Sequence, residues 1–280
     1  MLKLARFYLQ LIKTPQTSLL ILTAFAGYRS ATNSLQFSMI AFAMFGLLLA
    51  VSGTTALNMV FDRDIDSIMQ RTKNRPIPVG KLTPKAALIF GVFLIISGLF
   101  INYFISFPFA NVVLAGVFFD LIIYTVWLKR RSPLSILFGG IAGGMPILAG
   151  RVLAVGYIDW VGAVLALSIL LWIPTHILSL AMNHAEDYKL AGVPTFPNVF
   201  GFKSARNLIA ISNIVAAGLM LIAFYLLNVP QPGMYILRIS IIILLIFSIK
   251  MITSPSQKSN FAMFRYASIY MGIAMLILIF

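Results

Sequence analysis

The chain has 280 residues, of which 60% are apolar and only 10% charged, against roughly 25% charged in an ordinary soluble domain. That excludes a disordered chain and an ordinary soluble globule and points to a polytopic helical membrane protein. The apolar stretches are continuous rather than alternating, which excludes a membrane β-barrel. Among the 280 residues are 21 Lys and Arg, 7 acids and no cysteine, for a net charge of +14, so no disulfide, thiolate metal ligand or catalytic thiol is available. No basic soluble domain is present to offer a nucleic-acid patch. The excess positive charge therefore reads as loop charge on the cytoplasmic side.

Apolar runs separated by polar or Pro/Gly breaks predict nine helices, over 16–33, 36–58, 84–104, 108–127, 133–151, 159–183, 204–227, 233–250 and 261–279. The expected fold class is all-α, with residues 1–280 forming a single domain. The Ala24-Phe25-Ala26 stretch is superficially like a signal cleavage site, but further spans follow, so the first helix is read as retained. The basic residues test the map. Lys3, Arg6 and Lys13 precede the first helix, and Arg63, Arg71, Lys73, Arg75, Lys81 and Lys85 follow the second. Lys129, Arg130 and Arg131 follow the fourth, Lys189, Lys203 and Arg206 lie between the sixth and seventh, and Lys250, Lys258 and Arg265 lie near the last connection. Only Arg29, Arg151 and Arg238 fall on the other side. This asymmetry predicts a multi-pass protein of the cell membrane, with its N-terminus cytoplasmic and its C-terminus outside.

Five of the seven acids fall in two short segments at cytoplasmic helix ends, Asn58-Met-Val-Phe-Asp62-Arg63-Asp64-Ile-Asp66 and Asn183-His184-Ala-Glu186-Asp187. Asn58, Asp62 and Asp66 stand at i, i+4 and i+8, one stripe on a helix, with neighbours roughly 5–6 Å apart. Asn183 and Asp187 repeat the i, i+4 spacing. Stacked carboxylates repel, and a membrane environment strengthens the repulsion. A divalent cation removes it, and hard oxygen donors without Cys or paired His favour Mg2+ over zinc. Mg2+ takes one or two carboxylates and completes its shell with substrate phosphates, so two clusters suggest a diphosphate gripped from both sides. Arg71, Lys73 and Arg75 follow the first stripe, and Lys129, Arg130 and Arg131 end the fourth helix. Guanidinium forks suit phosphate oxygens, while Arg130, Arg131, Lys81 and Lys85 also fit plain loop pairing and positive-inside signalling.

The remaining polar residues divide between structural and functional readings. Asp64 points away from the stripe and is expected to pair with a nearby Arg. Glu186 sits beside Asp187 but off its stripe, and either role is open. His176 lies on the Asn183 face, about two turns deeper, and either serves the reaction or bonds a neighbouring helix. His184 reads as an interface residue. Asp120 is an intramembrane acid that reaches a Lys or faces a cavity. Asp159 opens the sixth helix as an N-cap. Gly139, Gly140, Gly143 and Gly144 suit close helix packing, with a cavity wall as the alternative.

Several of these segments also carry a family resemblance. Asn58-xxx-Asp62-Arg63-Asp64-Ile65-Asp66-xx-Met69-x-Arg71-Thr72-xx-Arg75-Pro76 resembles the first signature of the UbiA prenyltransferase superfamily. Tyr124-Thr125-xx-Leu128-Lys129-Arg130-Arg131, Gly139-Gly140-xx-Gly143-xx-Pro146, Trp172-x-Pro174-x-His176 and Asp187-Tyr188-xx-Ala191-Gly192-Val193-Pro194-xx-Pro197 are similar to its protoheme IX farnesyltransferase (haem O synthase) branch. The resemblance covers roughly residues 13–205. It implies a helical bundle around a central cavity that opens to the cytoplasmic face. It implies transfer of a farnesyl group from farnesyl diphosphate to a vinyl group of haem b, giving haem O, with Mg2+ as cofactor. The residues it marks as catalytic are Asp62, Asp66 and Asp187, and as metal ligands Asn58, Asp62, Asp66, Asn183 and Asp187. Arg71, Arg75 and Lys129 fall to the diphosphate, and His176 and Tyr124 to the acceptor. Implied partners are the lipid bilayer and haem-handling or oxidase-assembly proteins, and no nucleic acid. Two alternatives follow from the same residues: a superfamily member with an aromatic or lipid acceptor (quinone, chlorophyll or archaeal lipid synthesis), and a secondary transporter. A transporter is expected to carry its charged groups near the midplane, whereas these acids gather at one face. A haem chaperone would bind haem but ignore Mg2+ and prenyl diphosphate.

Overall fold

The computed structural model describes residues 2–280, with side chains from Leu4 onward, so the Lys3 side chain counted in the basic flank lies outside the described ones. The described chain is helical, in the order α1 Leu2–Leu11, α2 Thr14–Arg29, α3 Phe37–Phe61, α4 Arg63–Ile68, α5 Pro84–Ile105, α6 Phe107–Leu128, α7 Ser135–Val155, α8 Trp160–Asn183, α9 Ala185–Leu190, α10 Phe196–Leu226, α11 Gln231–Thr253 and α12 Gln257–Ile279. Helix starts follow local chemistry. Thr83 accepts from the Ala86 N–H ahead of Pro84, Ser106 accepts from Phe109 ahead of Pro108, and Ser256 and Ser259 cap each other reciprocally. These side-chain oxygens satisfy amides that no earlier turn can reach.

Eight of these helices are long and apolar enough to cross a membrane. The first expected span, α2, has 16 residues, about 24 Å at 1.5 Å per residue, and stays inside the bundle against α3, α7 and α12. It is preceded by α1, which rests on the end of α3 through Phe7, Tyr8 and Leu11. The expected span at 204–227 begins earlier, at Phe196, and is broken at Gly201, whose φ of 83° a side chain would resist.

The long helices form a closed ring. Chain neighbours α2–α3, α3–α5, α5–α6, α6–α7, α7–α8, α8–α10, α10–α11 and α11–α12 pack together, and α12 returns to α2 and α8. Apolar side chains alone do not choose such neighbours, because lipid tails are as apolar as leucine. Small residues and buried polar groups do. A methyl group at Gly150 would overlap the Ala24 carbonyl, so α2 and α7 touch backbone to backbone. Thr175 donates to Asn213 Oδ1 at 2.6 Å and Asn213 Nδ2 donates to Ser248 at 2.9 Å, which ties α8, α10 and α11 together. Large side chains such as Phe37, Phe93, Phe104 and Ile249 stand more than half exposed on the outer faces, where a bilayer and not water is their solvent.

Candidate active site

Both acidic segments sit where a long helix breaks into a short one. α3 ends at Phe61 and α4 begins at Arg63, with Asp62 at the joint. The i→i−4 ladder runs through the break, Asp62 N–H to the Asn58 carbonyl at 2.9 Å and Asp66 N–H to the Asp62 carbonyl at 2.7 Å. The expected stripe therefore survives the kink. α8 ends at Asn183 and α9 carries Glu186 and Asp187, with His184 at the joint. The two segments meet. Ile65 and Met69 form a buried cluster with Val193, against which Tyr188 and Ala191 pack. Tyr188 also lies within electrostatic reach of Lys129.

Each acid of the first segment has a different partner. Lys129, just beyond α6, pairs with Asp62 Oδ2 at 2.5 Å. Arg75 Nη1 donates to both oxygens of Asp66, at 2.8 and 2.7 Å. Arg130 grips both oxygens of Asp64 and the Phe61 carbonyl, facing outward. This pair is the expected structural one, and the Arg130 guanidinium holds the Asp64 carboxyl down to about 2. Asn58 is buried, its amide donating to Asp120 and accepting from Thr125. Asp62 Oδ1 is left buried without a partner, and so is Asn183 Oδ1. Asp187 is half-buried and Glu186 exposed, and neither makes an ion pair among the described residues. Arg71 is exposed and belongs with the second segment, where burial and then the Arg71 charge pull the His184 imidazole down while Asp187 pushes it up.

Lys13 entered the sequence reading only as part of a basic flank, and it belongs to this site. It sits at the α1–α2 joint with φ 45°, a strained conformation for a side-chain-bearing residue. Its ammonium feels Arg75 and Lys129 as well as Asp120 and Asp62. Burial first, then Arg75, lowers its pKa to about 8. Only the turn between α1 and α2 brings this lysine to the site, and the sequence does not show that turn. Thr125, named in the sequence only as part of a family-like motif and given no role there, is buried and holds Asn58.

Deeper in the bundle the site opens into an apolar cavity of about 260 Å³, walled by α2, α3, α6, α7 and α8. Its polar lining is Thr54, Thr55, Asp120, Tyr124 and His176. The α7 glycines do both things open to them. A methyl at Gly144 would strike the α8 backbone at Ala166, which is close packing. Gly139, Gly140 and Gly143 line the cavity, and Gly139 leaves room for the Tyr124 ring. The Tyr124 ring also lies 5.8 Å from the Lys129 ammonium. His176 likewise combines both expected roles. It faces the cavity, stacks between Trp172 and Phe264 at 5.3 and 4.5 Å, and bonds Ser268 of α12 through Nδ1.

The donor set can be tested for a hard divalent cation. Among the described residues no three of His, Cys, Asp and Glu converge closely enough to hold a metal by themselves. The bare buried oxygens of Asp62 and Asn183 are nevertheless hard donors that lack a counterpart. A partly complete oxygen set beside basic side chains fits Mg2+ whose remaining ligands come from substrate phosphates.

The sequence matches the UbiA prenyltransferase family over residues 19–272. A protoheme IX farnesyltransferase from Korarchaeum cryptofilum is 39% identical over 267 residues, 95% of this chain and 90% of that one. The solved structure of a digeranylgeranylglyceryl phosphate synthase shares the fold, with a TM-score of 0.83 at 22% identity over 99% of this chain and 98% of that one. A UbiA homolog from Archaeoglobus fulgidus, bound to DMAPP and Mg2+, has a TM-score of 0.71 at 14% identity over 97% of this chain and 98% of that one. A helical bundle with two facing acid-bearing helix breaks above an apolar cavity, and a match over nearly the whole chain, give one conclusion: the chain belongs to the UbiA prenyltransferase family and is a membrane-embedded prenyltransferase.

Proposed function

We propose that the chain transfers a farnesyl group from farnesyl diphosphate to a vinyl group of haem b, forming haem O. The observation that carries the metal–diphosphate part of this reading is the pair of buried oxygens without partners, Asp62 Oδ1 and Asn183 Oδ1, one at each helix break, while the likeness to a protoheme IX farnesyltransferase supports haem b as acceptor. Buried polar atoms are mostly paired, and an unpaired hard oxygen on an acid-bearing helix break fits one completed by a bound ion. Asn58, Asp62, Asp66, Asn183 and Asp187 are the residues that would hold Mg2+, and Asp62, Asp66 and Asp187 are catalytic in that sense. Bound there, Mg2+ would offset the negative charge that grows on the diphosphate as the allylic carbon–oxygen bond breaks.

The chain's own groups do the rest. Arg71, Arg75 and Lys129 donate to the diphosphate oxygens, and Lys13 joins them from the α1–α2 joint. Lys129 and Arg75 hold the carboxylates in place until phosphate arrives, and then exchange one anionic partner for another. The cavity below takes the isoprenoid chain and keeps bulk water from the allylic cation. Tyr124 and His176 stand on its wall and orient the acceptor. His176 is braced on both ring faces and at Nδ1, which leaves its Nε2 without a partner among the described residues. The cation joins the vinyl terminus, and one water captures the charge left on the neighbouring carbon and releases a proton.

The excess of basic side chains at the site pole favours a cytoplasmic position for it, with the N-terminus inside and the C-terminus outside the cell membrane. Haem-handling or oxidase-assembly proteins are the partners this activity calls for. The test is incubation of the purified chain with haem b, farnesyl diphosphate and Mg2+, followed by mass analysis of the porphyrin. Haem O is the expected product. Unchanged haem b, with prenylation of an aromatic or glycerol acceptor offered in parallel, overturns the haem reading and keeps the family.

A further inference from the structure

The winding of α6 changes halfway along its length. From Phe118 to Leu128 the backbone is a π-helix, and the Lys129 N–H closes it with a 2.8 Å bond to the Tyr124 carbonyl, five residues back. π-winding is rare and gathers at functional sites. The segment FFDLIIYTVWL holds neither glycine nor proline, so no local breaker imposes the change.

What the segment holds is one amide. Asn58 Nδ2 donates to Asp120 Oδ2 at 2.9 Å, and Asn58 Oδ1 accepts from the Thr125 hydroxyl at 2.9 Å. Asp120 and Thr125 are five residues apart. On an α-helix five residues make about 1.4 turns, which points the two side chains some 140° apart, too far to close on one amide. Bonding from i to i+5 makes them neighbours. The same winding brings Lys129 round to Asp62. Nine residues from Asp120 would be about two and a half α-turns, on the opposite face. In register, then, Asp120 and Thr125 meet Asn58 while Lys129 meets Asp62 one turn further along α3.

The chemistry explains why an amide needs two fixed partners. One end of an asparagine side chain can ligate a cation and the other, with two N–H donors, cannot. A half-turn about the last bond exchanges them. Asp120 Oδ2 accepts from the amide and so fixes the NH2 end, and the Asn58 oxygen keeps a second lone pair beyond the one Thr125 uses. We propose that Asp120 and Thr125 are positioning residues, an amide clamp created by the π-winding of α6, that hold Asn58 with its oxygen toward the cation. This rests on the reading of Asn58 as a ligand of the diphosphate-bound metal.

The experiment measures Mn2+ affinity by electron paramagnetic resonance on the full chain in detergent, with farnesyl S-thiolodiphosphate present, so that no turnover is required. Asp120→Ala and Thr125→Val should each weaken Mn2+ binding by about 10-fold, at the low end of what a lost support of a metal ligand costs. The double variant should be little worse than the worse single one, because both act through one amide. The reciprocal exchange Asn58→Asp with Asp120→Asn restores the hydrogen bond with a ligand whose two ends are equivalent, and it should recover most of the affinity. Thr125→Val and the exchange preserve volume, so they decide the matter if Asp120→Ala does not fold. Wild-type Mn2+ affinity in folded Asp120→Ala and Thr125→Val overturns the clamp. Mn2+ binding by the unaltered chain that the thiolodiphosphate does not tighten overturns the metal–diphosphate reading itself, and the clamp with it.

Discussion

The two ends of the bundle use the same kinds of charged side chain in opposite ways. At the end away from the site, Arg151 and Asp159 form a closed set. Arg151 is buried, its Nε and Nη2 donate to both Asp159 oxygens at 2.7–2.9 Å, and its Nη1 reaches the carbonyl and hydroxyl of Ser30 at 2.9 Å. Asp159 also accepts from the Gly162 N–H, which confirms the expected N-cap and adds an ion pair to it. The arrangement ties α2, α7 and α8 together and leaves little for a ligand to satisfy. At the site end, Asp62 and Asn183 keep bare buried oxygens, Asp187 has no ionic partner among the described residues, and several cations crowd around them. Saturated charges hold a fold together. Unsaturated ones, beside neighbours that can change partner, are what the proposed diphosphate site requires.

Substitution at each end tests that contrast. Asp62→Asn should give the largest effect, a loss of about 10²–10³-fold in prenyl transfer, the range for removing one group that stabilises developing charge. Thermal unfolding in detergent should change little, because the amide still accepts from Lys129. Near-normal turnover in Asp62→Asn would remove the site end from the chemistry. Arg151→Ala should behave in reverse. Breaking a buried pair costs about 3–5 kcal/mol, with the lower end expected here because Asp159 keeps some solvent access. The melting transition should fall by several degrees while turnover per folded molecule stays unchanged. Equal loss of stability and specific activity would mean that the two ends are not separable.

The smallest effect sharpens the site end. Burial holds the Lys13 ammonium near pKa 8 in the fold, against 10.5 for the ordinary side chain. Its charge is present below pH 8 and lost as pH rises through it. The prenyl-diphosphate kcat/KM, which reports the free enzyme, should fall several-fold from pH 7 to pH 9. Stability should move the other way, since the unfolded chain binds more protons between the two values and unfolding is then disfavoured as pH rises. Lys13→Arg, always charged, should flatten the activity profile. A wild-type profile flat across pH 8 that Lys13→Arg leaves unaltered would separate Lys13 from the diphosphate.

The sequence by itself determined the long spans, the crowding of acids at one pole, and the Asn58, Asp62, Asp66 stripe, because each depends on local spacing or on apolar runs of bilayer length. The i→i−4 ladder even carries that stripe through a break at Asp62 that the sequence did not announce. Only the tertiary structure decided that α2 is short and packs backbone to backbone on α7, that Arg75 and Lys129 take different acids, that Arg71 lies near the second segment, and that Lys13 lies near the first. It alone decided that α6 is wound to hold Asn58 and that Arg151 completes the Asp159 cap. The reason is physical. In a membrane, protein and lipid are equally apolar, so hydropathy marks what is buried in the bilayer but not which helix faces which. Partners are then chosen by small residues and buried hydrogen bonds whose members lie far apart in the chain, and the winding of α6 follows from the contacts it closes rather than from any residue within it.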